Sequence, residues 1–202
     1  FLTERGLDPC EPTGEESASV IVAVKNGSLQ ILEYLRAQGF DVIGPFGETL
    51  SLVEAAKYGH LDIANFLLRN SANVNDPDGN GETPISAACK HGHFKLVKFL
   101  IAKGADFHDP NLLQCAIESK NRDIVDYLLQ DLGIQFPTAG DLRRKCFQQM
   151  LLSNFLDLFD SFWTENDCCK IRFEDEAFLL LMENIEEAVI DKMLDMDFVQ
   201  FP

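Results

Sequence analysis

The sequence lacks a long hydrophobic run. Its longest predominantly apolar stretches, at residues 19–24 and 177–182, are only six residues each, and the first of them begins with Ser19. A helix that crosses a bilayer needs about 20 predominantly apolar residues, so no membrane insertion is predicted. A secretory leader is also missing, and residue 1 is Phe rather than Met. We therefore expect the sequence to be part of a longer chain.

Basic residues are scarce. Lysine and arginine number 17 against 33 acidic residues, which gives a net charge of −16. Residues 154–202 hold 13 of the acids and only three of the bases, so most of the excess lies near the C-terminal end. An acidic surface repels phosphate backbones, which excludes nucleic acid as the primary ligand. The complementary partner is a protein with a basic or mixed-charge surface.

The cysteines show no compact spacing of the kind that indicates a disulfide framework. They stand at positions 10, 89, 115, 146, 168 and 169 of a chain that is large and apolar enough to fold without staples. We therefore predict reduced thiols in a cytoplasmic, reducing compartment. Neither cysteine nor histidine has the spacing of a structural zinc site. No metal, cofactor or catalytic site is predicted.

The sequence contains an internal repeat with a step of about 33 residues. The segment KYGHL at residues 57–61 recurs as KHGHF at residues 90–94, 33 positions later. At the same step, FLL at residues 66–68 recurs as FLI at residues 99–101. An earlier copy, NGSL, is found at residues 26–29, and the copies nearer the C-terminal end are weaker. A period of this length is typical of repeat architectures.

Each unit has the pattern of two α-helices joined by a tight turn. Apolar residues within 61–68 recur at helical spacing and form one face. Gly59 and Gly92 stand between the two helices, where a tight turn favours glycine. Thr83 and Pro84 predict a helix start, because threonine can cap a helix and proline suits its first turn. Such a unit buries its apolar face only against a neighbour, so an array is expected.

The motif resembles that of the ankyrin repeat family. GETPISAACKHGH at residues 81–93, LVKFL at 96–100 and GAD at 104–106 follow the family pattern T-P-L-H-x-A-A-x-x-G-H, then I-V-x-x-L-L-x-x-G-A-D. The resemblance is clear over about residues 15–134 and weak over 135–202. It implies an all-α, ankyrin-type helical repeat solenoid with short hairpin fingers, that is, the turns that join consecutive repeats. About six repeats are expected, of which the last two are degenerate.

The resemblance also implies a division of the chain into three parts. Residues 1–14 are the outer-helix remnant of a preceding repeat and a linker, and residues 15–134 are ankyrin repeats. Residues 135–202 form a degenerate ankyrin-like or helical C-terminal extension, which is acidic. At the Gly-His turns of the repeats, the rings of His60 and His93 are expected to hydrogen-bond to neighbouring backbone.

The function that the resemblance implies is non-catalytic protein–protein interaction, as a scaffold or adaptor. In ankyrin-like arrays the fingers and the exposed positions of the inner helices form a concave face that binds the partner. Positions on that face are expected to be free of core packing and available for recognition. These positions are Glu54, Lys57, Tyr58, Asn73, Asn75, Asp76, Asp78, Asn80, Lys90, His91, Asp106, His108, Gln114 and Glu118.

Two other functions stay open on the sequence alone. The chain is alternatively a targeting or regulatory ankyrin segment of a larger enzyme, channel or secreted effector, since it begins with Phe inside half a repeat. An enzyme hidden in residues 136–202 is the second alternative, because that region diverges from the repeat and contains Cys, Asp and Glu. The sequence predicts no particular oligomeric state.

Overall fold

A computed structural model describes residues 14–44 and 50–136, together with seven single positions between 142 and 155. The described residues form helices and connecting turns and contain no strand. The helices come in four consecutive pairs: α1 (Gly14–Lys25) and α2 (Leu29–Ala37), α3 (Ser51–Tyr58) and α4 (Leu61–Arg69), α5 (Pro84–Lys90) and α6 (Phe94–Ala102), α7 (Leu112–Glu118) and α8 (Arg122–Asp126).

The all-α repeat fold predicted from the sequence is confirmed. The count of six repeats is not, because the structure describes four helix pairs. The two predicted degenerate repeats fall in 135–202, almost all of which lies outside the described residues. The chain divides into two compact units, Phe1–Gly133 and Ile134–Pro202, and all four pairs belong to the first. The remnant predicted at 1–14 also lies outside the described residues, apart from Gly14.

The helix pairs form two layers. The inner layer consists of α1, α3, α5 and α7, each of which contacts the next, and the outer layer consists of α2, α4, α6 and α8. Small side chains allow the inner helices to approach closely, and Ala55, Ala56, Ala87 and Ala88 are completely buried. The outer helices add larger aliphatic side chains to this core. These include Ile63, Leu67, Leu96, Leu100 and Ile124, with Leu128 on the π-helical turn Tyr127–Asp131 that follows α8.

The predicted helix start at Thr83 is confirmed. The Ser86 backbone N–H donates to Thr83 Oγ1 at 3.3 Å, and the Thr83 backbone N–H donates to Ser86 Oγ at 3.0 Å. This reciprocal pair satisfies two backbone donors that a helix N-terminus otherwise leaves free. Pro84 occupies the first turn, where its missing N–H costs nothing. Leu50, at the start of α3, makes no side-chain cap.

The turn between the two helices of a pair is bonded to the preceding pair. His60 Nε2 lies 3.1 Å from the Lys25 carbonyl oxygen, and His93 Nε2 lies 2.9 Å from that of Lys57. A carbonyl oxygen only accepts, so Nε2 carries the proton in both rings. The predicted hydrogen bond from ring to backbone is thus confirmed, and it joins adjacent repeats. Asn121 Nδ2 makes the corresponding bond in the fourth pair, to the Gly92 carbonyl at 2.9 Å.

The same rings lie against the glycine of the preceding turn. Gly59 and Gly92 have φ values of +74° and +77°, a region that disfavours residues with a Cβ. A Cβ on Gly59 would lie only 2.5 Å from His93 Nδ1, whereas one on Gly92 would lie 3.7 Å from Asn121 Cβ. Lys120, with φ +57°, takes the place of glycine in the fourth turn. Glycine at position 59 is therefore required by both backbone conformation and the histidine ring.

We predict that Gly59→Ala destabilises the array more than Gly92→Ala. The two glycines have nearly equal φ, so both substitutions cost about 1–2 kcal/mol from the left-handed backbone. Only Gly59→Ala also overlaps a ring, which adds roughly 1–3 kcal/mol. Urea unfolding of the full chain measures the difference. Equal losses of stability would show that the His93 ring does not constrain the turn.

Candidate protein-binding surface

The fourteen predicted contact residues differ widely in accessibility. Lys57, Gln114 and Glu118 are half-buried, and Glu54 and Asp78 are buried, with only 7% and 6% of their surface exposed. The expectation that all fourteen are free of core packing is therefore wrong for Glu54 and Asp78. The remaining nine are exposed: Tyr58, Asn73, Asn75, Asp76, Asn80, Lys90, His91, Asp106 and His108.

Glu54 is buried because its carboxylate lies between two lysines of the inner layer. Its oxygens are 3.7 Å from Lys25 Nζ, on the preceding inner helix, and 3.5 Å from Lys57 Nζ, one turn later on α3. A buried carboxylate needs such partners, because burial without them is costly. Glu54 thus serves to join α1 to α3.

Asp78 organises the finger before α5. Its Oδ1 accepts hydrogen bonds from the backbone N–H groups of Asn80 and Glu82, both at 3.0 Å, and its Oδ2 lies 3.3 Å from Lys57 Nζ. Burial by itself raises the pKa of Asp78. The two backbone hydrogen bonds and Lys57 outweigh this and hold the pKa below its ordinary value. The carboxylate is therefore ionised at neutral pH and fixes the shape of the finger.

Lys57 is the centre of an ion-pair network. Its Nζ lies 3.1 Å from Glu82, 3.3 Å from Asp78 and 3.5 Å from Glu54. Burial by itself lowers the pKa of Lys57, but the hydrogen bond and charge of Glu82, with the other two carboxylates, raise it overall. Sequence reasoning missed Glu82, whose role depends on the fold of the finger. The positive charge of Lys57 is therefore largely balanced by these three carboxylates within the protein.

Aromatic rings and cations line an open hollow at the C-terminal ends of α3 and α5. It has a volume of about 490 Å³ and is lined by Lys25, Glu54, Lys57, Tyr58, His91 and His93. Tyr58 is 49% exposed and stacks on His60 with ring centroids 6.2 Å apart. His91 stacks in the same way on His93, at 6.5 Å. Exposed rings such as Tyr58 can bind protein side chains, since aromatic residues are enriched at protein interfaces.

The fingers are bonded to one another. Asn75 Oδ1 accepts from the Asp106 backbone N–H at 2.8 Å, and Asn75 Nδ2 donates to the Gly104 carbonyl at 3.3 Å. Asn73 Nδ2 donates to Asp76 Oδ1 at 2.6 Å within the same finger. Asn75 therefore has a structural role, in addition to the recognition role predicted for it. Its side chain keeps the two fingers in register.

The next finger holds an exposed pair of side chains. Asp106 Oδ1 lies 2.9 Å from both the backbone N–H and the ring Nδ1 of His108. The backbone hydrogen bond, with the ring, lowers the pKa of Asp106. On α7, Gln114 Nε2 donates to Glu118 Oε1 at 2.7 Å. Asp106 is thus paired with His108 within the finger, and Gln114 is paired with Glu118 on α7.

The described thiols are poor nucleophiles. Burial raises the pKa of Cys89 far above its ordinary value. Burial, with the charge of Glu118, raises the pKa of Cys115 to about 11. No disulfide joins Cys89, Cys115 or Cys146 to another described residue, and both of the shifted thiols are protonated at neutral pH. Cys168 and Cys169 lie outside the described residues.

The described part of the chain holds no group of three or more His, Cys, Asp or Glu side chains that could hold a metal ion. None of its helices is long and apolar enough to cross a membrane.

Comparison with known families agrees with this geometry. Residues 52–138 match the family model described as ankyrin repeats in three copies. Residues 52–138 of the chain are therefore ankyrin repeats. Ankyrin repeats are generally protein–protein interaction modules and typically non-catalytic. No curated protein matches the chain significantly.

We predict that Asp78→Asn destabilises the protein by about 1–3 kcal/mol at pH 7, because it weakens charge-assisted hydrogen bonds in a buried turn. A carboxylate whose pKa is lowered by folding stabilises the native state above its unfolded pKa, and this contribution disappears as the pH falls. The difference between wild type and variant should therefore shrink below about pH 4. Urea unfolding at several pH values measures it.

Asp131→Asn is the matched control, because Asp131 is exposed. We expect it to change the free energy of unfolding by less than about 0.5 kcal/mol at any of these pH values. A similar small change for Asp78→Asn would contradict the role assigned to the buried carboxylate.

Proposed function

We propose that the protein is a non-catalytic interaction module, a scaffold or adaptor that binds a partner protein through its concave face and fingers. The observation that carries the proposal is the group formed by Tyr58, Lys90 and His91. All three side chains are exposed and lie at the C-terminal ends of adjacent inner helices. Lys90 makes no ion pair with any described residue, so its charge is available to a partner.

The charges on this face favour a partner of mixed charge. Exposed carboxylates of Asp76 and Asp106 stand on the fingers, and lysines stand at the C-terminal ends of the inner helices. The proposed face therefore carries both signs of charge. A partner with the opposite arrangement gains both affinity and a defined orientation.

A cytoplasmic location and the absence of catalysis are parts of the same proposal. Cys89 and Cys115, which form no disulfide with a described residue, suit a reducing compartment. The raised pKa values of Cys89 and Cys115 do not suit nucleophilic catalysis.

Photo-crosslinking identifies the partner and tests the surface. A photoreactive residue at position 58 of the full chain should capture discrete proteins that the same residue at position 34 does not. Tyr34 is the matched control, because it is exposed on the outer helix α2. Capture of the same proteins from both positions would contradict the assignment of the concave face.

The purified captured protein then gives the affinity. We predict that Tyr58→Ala, Lys90→Ala and His91→Ala together weaken binding by at least about tenfold, because exposed aromatic and charged side chains account for most interface energy. The control is Tyr34→Ala with Lys95→Ala, on the outer layer. An unchanged dissociation constant for the triple variant, with unfolding like wild type, would overturn the proposed surface.

A further inference from the structure

A second open hollow continues the first along the turns. It has a volume of about 450 Å³ and is lined by His91, Gly92 and residues 119–123. His91 belongs to both hollows. Together they form one groove, here called the turn-side groove, which runs past the C-terminal ends of α1, α3, α5 and α7. Ser119, Lys120 and Asn121 extend it beyond the surface predicted from the sequence.

The turn-side groove is lined by four cations, Lys25, Lys57, Lys120 and Arg122, and by two carboxylates, Glu54 and the exposed Asp123. The exposed Lys90 adjoins the groove as the residue before His91, in a chain whose net charge is −16. Three of the four lining cations are neutralised within the protein. Lys57 contacts three carboxylates, Lys25 lies 3.7 Å from Glu54, and Arg122 lies 2.8 Å from Asp126. Lys90 and Lys120 are both exposed and make no ion pair within the described part of the chain. The unpaired positive charge is therefore concentrated at Lys90 and Lys120.

An interaction with a helix dipole explains the position of Lys90 but not that of Lys120. Lys90 is the last residue of α5, where a cation interacts favourably with the helix dipole. Lys120 instead lies two residues beyond α7, with φ +57° at a position that is glycine in the other turns. A left-handed backbone is unfavourable for lysine. Its side chain beside His91 in the second hollow thus points to a role in binding.

We infer that the turn-side groove binds an acidic, extended segment of the partner protein. This inference rests on the proposed function and specifies the partner's chemistry at this side of the face. Packed helices lie about 8–10 Å apart, so three helix-to-helix steps from Lys25 to Lys120 span roughly 24–30 Å. An extended chain rises about 3.3 Å per residue, so the segment is about eight residues long.

The test uses a fluorescent octaglutamate peptide and the full chain. Fluorescence anisotropy at low salt should show binding that weakens markedly at about 0.15 M salt, as expected for exposed charges. Lys90→Glu with Lys120→Glu should weaken binding at low salt by at least tenfold, and Lys90→Gln with Lys120→Gln by less. The matched control is Lys95→Glu with Lys103→Glu, which makes the same change in net charge on the outer side of the array.

Each outcome bears on the inference. An equal loss in both glutamate variants would overturn it, because net charge alone would then explain binding. No binding by wild type at low salt would also overturn it. Tighter binding of a single-stranded DNA octamer, with the same dependence on Lys90 and Lys120, would replace the acidic protein segment with nucleic acid. Circular dichroism and urea unfolding confirm that each variant is folded.

The proposed function is judged separately. If octaglutamate does not bind but crosslinking at position 58 still captures a partner that the triple variant loses, only the acidic segment is wrong. The opposite outcome is that octaglutamate binds through Lys90 and Lys120 while no protein is captured at position 58. In that case the turn-side groove is supported as a site for acidic segments, and the proposal that the wider concave face binds a partner is wrong.

Discussion

The array depends on a contact that each repeat makes with the backbone of the repeat before it. A side chain at the turn, His60, His93 or Asn121, bonds to a main-chain carbonyl of the preceding pair. One helix pair cannot bury its own apolar face, so stacking is obligatory. The small side chains of the inner layer allow close approach, and the directional hydrogen bond fixes how one pair is placed on the next.

The candidate surface is a product of this stacking. The carbonyl of Lys57 accepts from His93, while its ammonium group contacts Glu54, Asp78 and Glu82. One residue therefore connects the turn, the inner layer and the following finger. The neighbouring Tyr58 is left exposed at the end of the same helix. The proposed recognition residue Tyr58 is in this way attached to a bonded framework, which would keep the entropy cost of binding a partner low.

The fold could be predicted from the sequence because its signals are local and repeated. The Thr83-Pro84 start, the glycines of the turns and the apolar spacing all have direct structural counterparts. The burial of Glu54 and Asp78 could not be predicted in this way. Each depends on a lysine brought close by packing, on α1 for Glu54 and on α3 for Asp78. Lys120 was missed because its turn departs from the Gly-His pattern that marks the others.

The side chain that lies above each turn glycine also limits how the repeats can diverge in evolution. Position 59 is closed to larger residues while His93 covers it, but Asn121 leaves more space above position 92. A turn can therefore accept a side chain only after the following repeat has replaced its histidine with something smaller. Substitutions at the turns would therefore be tolerated in order from the C-terminal end toward the N-terminal end. Each turn could change only after the side chain of the following repeat had become smaller.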